Sequence, residues 1–136
     1  MNGHPMKLLT FATALLSVAA IAGCTTGTPR AEPGKSIVDI EAHAGDDMIA
    51  RRLDGNQANS LNHFIVSPGR HSMELGIVMI GYQNSHRRCT ATLDYDGFAA
   101  DERYTLVQSR ADAEVKVSLL DSRGVAVAQA GKVPCL

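Results

Sequence analysis

The chain has 136 residues, 45% of them hydrophobic but only 4% aromatic and none of them Trp, and its 13 basic and 14 acidic groups leave a formal net charge of −1. That length fits one small domain, while a charged fraction of 20% and apolar residues that recur to the C-terminus exclude a disordered chain. No basic run is present, which excludes nucleic acid as a partner, because phosphate binding needs a concentrated cationic surface to displace counterions.

In chain order, Lys7 supplies a positive charge ahead of Leu8 to Ala22, a stretch without charge that is interrupted only by Thr10, Thr13 and Ser17. That length suits a signal peptide. No later stretch reaches the roughly 20 uncharged apolar residues a spanning helix needs, so an integral membrane protein is not expected. The stretch ends in Ile21-Ala22-Gly23-Cys24, which resembles the lipobox of bacterial lipoproteins: a branched apolar residue, two small residues beside the scissile bond, and the thiol that accepts diacylglycerol. The resemblance implies removal of residues 1–23 and lipidation of Cys24, with acyl chains such as palmitate holding the product to the membrane. Each buried methylene contributes about 0.8 kcal/mol, so several chains on one residue anchor stably. Thr25 stands where lipoproteins retained at the inner membrane carry an acidic residue, so the expected destination is the outer membrane of a bacterial envelope, with the domain facing the periplasm.

Residues 24–35 form the lipidated terminus and a tether whose sequence, TTGTPRAEPGK after Cys24, has no apolar periodicity and the turn-rich composition of a solvated spacer. Residues 36–136 read as the folded domain. Short β-branched runs alternate between turn signals there, and stretches with a 3.6-residue apolar period are scarce. Strands are predicted over residues 36–42, 48–53, 61–66, 71–83, 89–95, 104–109, 114–120 and 125–129. Asp54-Gly55, Ser67-Pro68-Gly69, Asp96-Gly97 and Asp121-Ser122-Arg123-Gly124 are the turns. The cleanest alternation puts Met73, Leu75, Ile77 and Met79 on one face, and Cys89, Ala91, Leu93 and Tyr95 repeat it on a neighbouring strand. Residues 46–52 and 99–103 are the alternative sites for a single helical turn. The expected fold is all-β, a small antiparallel β-sandwich or partly closed barrel of the immunoglobulin-like or transthyretin-like kind, with seven or eight strands running as a meander.

This layout resembles a group of uncharacterised bacterial envelope lipoproteins whose β domain has the order hydrophobic strand, Asp-Gly, strand, Pro-Gly-x-His, strand, Tyr. The matching positions are Leu53-Asp54-Gly55, Val66-Ser67-Pro68-Gly69-Arg70-His71 and Tyr104-Thr105-Leu106, within a span from Met48 to Gly124. Glu102-Arg103 departs from it, since such sequences more often carry a Gly before the Tyr. The resemblance implies a fold type and brings no catalytic residues.

With Cys24 assigned to lipid, Cys89 and Cys135 remain as an even pair in an exported domain, where disulfides form and persist, and a bond between them is expected. His43, His63, His71 and His86 are scattered without metal-ligand spacing, and Met73 and Met79 lie about 20 Å apart along one strand, so core methionines and surface histidines are the reading and no metal or other cofactor is expected. Ser60, Ser67, Ser72 and Ser85 lack a nucleophile-elbow setting, Asp46-Asp47 reads as an exposed acidic pair, and His86-Arg87-Arg88 reads as a solvated hairpin end. Arg51-Arg52 breaks the alternation of its strand, so at least one of the two is exposed. No catalytic residue is assigned. The expected role is non-enzymatic: attachment to the membrane through the N-terminal lipid, and binding or organisation of another envelope protein through sheet edges or loops such as Gly55 to Ser60. The alternative is a periplasmic lipoprotein that binds a small ligand or a metal through the four histidines.

Overall fold

β-branched stretches become strands where one face can be buried, and the computed structural model, which describes Gly3 and residues 30–136, contains nine among those residues. They are β1 (Ser36–Glu41), β2 (Asp47–Leu53), β3 (Asn56–Gln57), β4 (His63–Val66), β5 (Gly69–Ile80), β6 (His86–Phe98), β7 (Arg103–Ala111), β8 (Glu114–Leu120) and β9 (Ala126–Gln129). The only helical element among them is a 3-10 turn over Tyr82–Asn84, and no helix is long and apolar enough to cross a membrane. Cys24 and the apolar stretch before it lie outside the described residues.

Two sheets form, one of five strands in the order β4-β1-β7-β8-β9 and one of four in the order β3-β2-β5-β6. The all-β, two-sheet class is as expected, and neither sheet closes into a barrel. The meander is corrected: β1 pairs antiparallel with β4 and parallel with β7, so the chain crosses between sheets several times. Parallel pairing cannot be made by a tight turn and needs a long connection. The ninth strand, β3, is a two-residue arm closed against β2 through Asp54-Gly55, both with positive φ (52° and 82°), the conformation of a two-residue hairpin turn.

The long β5–β6 hairpin is the predicted alternation realised. Met73, Leu75, Ile77 and Met79 face inward opposite Leu93, Ala91, Cys89 and Arg87. All of these but the exposed Arg87 meet Val38, Val66, Leu106, Val117 and Leu119 of the other sheet in one apolar core. At one end, Phe98 stacks edge-on against Tyr95 and Tyr104, each at 4.9 Å between ring centroids, and the Tyr104 hydroxyl accepts a hydrogen bond from Ala99 N–H at 3.0 Å. The buried Ser36 hydroxyl donates to Ala99 O (2.6 Å) and accepts from Glu102 N–H (2.9 Å). It thereby pins the start of β1 to the turn that feeds β7. Arg103 then clamps the parallel pair by donating from Nε and Nη2 to Asp39 at 2.6 and 3.1 Å.

Arg51-Arg52 is explained by a register shift between Ala50 and Arg52 in the pairing with β5. A bulge inserts one extra residue and turns consecutive side chains to solvent, and both arginines are exposed. Residues 47–52 are therefore strand rather than helical turn, and Asp46 precedes the strand. Gly124 takes φ +79° in the turn capped by Asp121, whose Oδ1 accepts from Arg123 and Val125 N–H groups at 2.9 and 3.0 Å.

Asp46 is corrected as well. Its side chain is fully buried, and its carboxylate accepts from Gln108 Nε2 (2.8 Å), Ile80 N–H (3.1 Å), Arg110 Nε (2.8 Å) and Arg110 Nη2. Burial pushes this carboxyl upward, but the hydrogen bonds from Arg110, Ile80 and Gln108 and the Arg110 charge outweigh it and hold the group below its ordinary range. Because Ile80 belongs to β5 while Gln108 and Arg110 belong to β7, this one carboxylate joins the two sheets.

Candidate functional site: an open groove between two edge strands

Cys89 and Cys135 are disulfide-bonded across a sequence separation of 46. They face each other as an antiparallel bridge, flanked by Leu136 N–H to Arg88 O (2.8 Å), Arg88 N–H to Leu136 O (3.3 Å) and Thr90 N–H to Pro134 O (3.1 Å). The chain leaves β9 at the edge of one sheet and ends as a short added strand on β6 at the edge of the other. The start of the β6 edge, at Arg88 and Thr90, is thereby covered, covalently and by backbone bonds, beside a groove of about 620 Å³ between β8, β9 and the tail.

The opposite flank is open. There the edge strands β3 and β4 stand beside a groove of about 590 Å³ whose lining includes Leu53, Asn56, Gln57, Ser60, His63 and Ile65. This is the Gly55–Ser60 loop singled out from the sequence, now with a second wall supplied by β4. The charges at its margins are already paired: Lys35 Nζ lies 3.5 Å from Glu32, and Asp54 is held by His71. The rest of its polar lining is Asn56, Gln57, Asn59, Ser60 and His63. The Ser60 hydroxyl lies 3.1 Å from His63 Nδ1 and accepts from Asn62 N–H at 3.2 Å, which shapes the turn between the two walls.

At one end of the groove the structure brings together residues that the sequence reading kept apart. His71 Nδ1 lies 2.6 Å from Asp54 Oδ2, and its Nε2 lies 2.7 Å from the Ser67 carbonyl oxygen and 3.2 Å from the Ser67 hydroxyl. Ser72 N–H donates to Asp54 Oδ1 at 2.8 Å. Burial raises the Asp54 carboxyl, yet hydrogen bonds from His71 and Ser72 and the nearby imidazole charge bring it below the ordinary carboxylate range. The constellation has the residue types of an acid-histidine-serine relay, but its geometry differs. His71 Nε2 stands nearer the Ser67 carbonyl oxygen than the Ser67 hydroxyl, so the ring faces the backbone of that turn where a relay needs the hydroxyl alone. It ties the Asp54-Gly55 turn to the Ser67-Pro68-Gly69 turn and sets the angle of the β3 arm. The signal was in the sequence as two turn motifs flanking strands that pair at Leu53 and Met73, and it became a contact only through that register.

The other singled-out residues do not converge. His43 sits by the buried Asp46 at 3.9 Å, His86 is at the far hairpin end, 3.4 Å from Asn84, and Met73 and Met79 are core residues. Ser85 closes the β5–β6 turn through Gly81 N–H to its carbonyl (2.8 Å). Among the described residues no three His, Cys, Asp or Glu groups stand close enough together to hold a metal ion. Comparison with models of known families, with curated proteins and with solved structures gives no match.

Proposed function

We propose that this chain is a lipid-anchored protein of the bacterial cell envelope, acylated at Cys24, attached to the outer membrane, and standing in the periplasm on a short tether. Its β domain acts without catalysis by binding another envelope component. The apolar stretch ending in Ile21-Ala22-Gly23-Cys24 supports the anchor, and the Cys89–Cys135 bond fits an oxidising compartment. The observation that carries the binding role is the β3–β4 groove itself, where two edge strands stand beside a cavity whose margin charges are compensated, whereas the tail covers the start of the β6 edge at Arg88 and Thr90. A second reading, a small-ligand binder, uses the same groove and is favoured by the amides of Asn56 and Gln57 along its wall.

The test is site-specific photocrosslinking in intact cells, with the probe at Gln57 and a control probe at Lys116 on the outer face of β8. The expected result is a discrete adduct from Gln57 alone, lost in Cys24→Ala together with membrane attachment. A mature terminus that carries no acyl group, found by mass analysis, contradicts the anchor. Equal adducts from both positions contradict the groove.

A further inference from the structure

We infer that the β3–β4 groove takes an extended, uncharged polypeptide segment, which adds as a strand to the free edge of β4. This rests on the binding role proposed above and names the ligand class of that site.

The phase of the backbone carries the argument. Ile37 N–H donates to Glu102 O at 3.2 Å, so in β1 the polar groups of Ile37 and Asp39 are turned toward β7 and those of Ser36 and Val38 toward β4. The hydrogen-bonded pairs between β1 and β4 are then Ser36 with Val66 and Val38 with Phe64, within the observed register. The N–H and C=O groups of His63 and Ile65 therefore point away from β1, into the groove. On the opposite wall the two-residue turn makes Leu53–Asn56 the closing hydrogen-bonded pair, and Ala58 N–H donates to Arg51 O at 2.8 Å. The Gln57 N–H and C=O consequently face outward too. Among the described residues no turn, loop or side-chain hydrogen bond engages the backbone of His63, Ile65 or Gln57. Such a row of unpaired donors and acceptors is a template for strand addition.

The occupant's chemistry follows from the walls. Glu32 and Lys35 neutralise each other and Asp54 is taken by His71, so nothing in the groove rewards a net charge. Leu53 and Ile65 offer apolar contact, and Asn56, Gln57 and Ser60 offer paired donors and acceptors. A segment alternating apolar with small polar side chains matches both. β4 is four residues long, which spans about 13 Å of added strand. The molecule already uses this mode on its other flank, where residues 134–136 add to β6 through three backbone bonds.

The experiment is backbone amide hydrogen exchange on the full chain in detergent micelles, with acetyl-Thr-Val-Thr-Val-Thr-Val-amide as probe. Its fully N-methylated counterpart and chitotriose serve as comparisons. The expected result is exchange at His63 and Ile65 slowed about tenfold or more by the peptide, no slowing by the N-methylated peptide, and no slowing at His63 in Ile65→Pro. That variant removes the outward N–H from an edge strand, where proline is tolerated, and its fold is checked by unchanged protection at Thr90. Unchanged exchange with the peptide, or equal slowing by the N-methylated form, overturns the inference. A response at Asn56 and Gln57 to chitotriose alone overturns the peptide class. If the Gln57 adduct in cells persists in either case, the binding role stands without this ligand class.

Discussion

The two flanks of the sandwich meet the same physical problem in opposite ways. Any open sheet presents unpaired backbone groups along its edge strands. On the β6 side the tail covers those at the start of the strand, with Cys89 bonded to Cys135 and Arg88 and Thr90 paired to residues 136 and 134. On the β3–β4 side the strands are only two and four residues long, the margin charges are paired, and the groove stays open. Short edges limit indiscriminate pairing while leaving room for one specific strand. A chain that bonds its tail covalently over the start of one edge and leaves the other uncovered among the described residues has an asymmetry that packing alone does not require.

The comparison breaks most visibly on the covered flank. Cys135→Ser should lower stability by about 4 kcal/mol in the chain-entropy model for a loop of this length, read as a lower urea midpoint. Exchange at Thr90 should rise at the same time, because the tail strand loses its tether. An unchanged midpoint would show that the bond contributes nothing to the closed edge.

Asp46→Ala comes next. It leaves Arg110, whose side chain is 27% exposed, without its carboxylate, and leaves Gln108 and Ile80 N–H without an acceptor. Losing one partner of a buried pair costs about 3–5 kcal/mol, and the partial exposure of Arg110 places this case near the lower end. The folded values of Asp46, Asp54 and Asp121 all lie below the ordinary carboxyl value of 3.8. Their contribution to stability is therefore complete above that value and lost as pH falls through the depressed folded values. Urea midpoints measured between about pH 6 and pH 2 should fall along this acid limb, and Asp46→Asn should flatten it. A limb of equal steepness in that variant would remove Asp46 from the account.

On the open flank the effects are smaller. Asp54→Ala frees the β3 arm from His71, and because Asp54 is 43% exposed at its side chain the loss should be about 1 kcal/mol. Faster exchange confined to Asn56 and Ala58, whose amides are bonded to β2, should accompany it. Ile65→Pro should leave the urea midpoint within about 0.5 kcal/mol of the parent, since the N–H it removes points out of the sheet. A loss as large as that of Cys135→Ser would mean that the β4 edge is already paired.

What was legible in the sequence follows from which forces are local. The β5 and β6 faces could be read because a half-buried strand imposes a period of two on its own residues. The turns at Asp54-Gly55 and Gly124 could be read because positive φ selects few residue types. The Cys89–Cys135 bond could be read because two cysteines left over once Cys24 is assigned to lipid have one pairing. The parallel pairing of β1 with β7 left no such trace: its register is fixed by Ser36 on the 99–102 turn and by Asp39 on Arg103, contacts 63 to 66 residues apart in sequence. Asp46 looked solvated beside Asp47 because its partners lie at Ile80, Gln108 and Arg110. The Gly55–Ser60 loop was visible as one wall of the site. The second wall was not, since β4 becomes an edge only through the crossover topology, and the His71 tie to Asp54 exists only in the β2–β5 register.

The central claim, that the β6 edge is closed by the tail at Arg88 and Thr90 while the β3–β4 edge is open, is tested most directly by amide hydrogen exchange on the oxidised full chain without added ligand. The account predicts that Thr90 and Leu136 exchange slowly, within about tenfold of the core residue Leu75, while Gln57 and Ile65 exchange near the rate of an unstructured chain. Protection at Ile65 equal to that at Thr90 would contradict it, because both edges would then be closed and the groove would have no free backbone to offer.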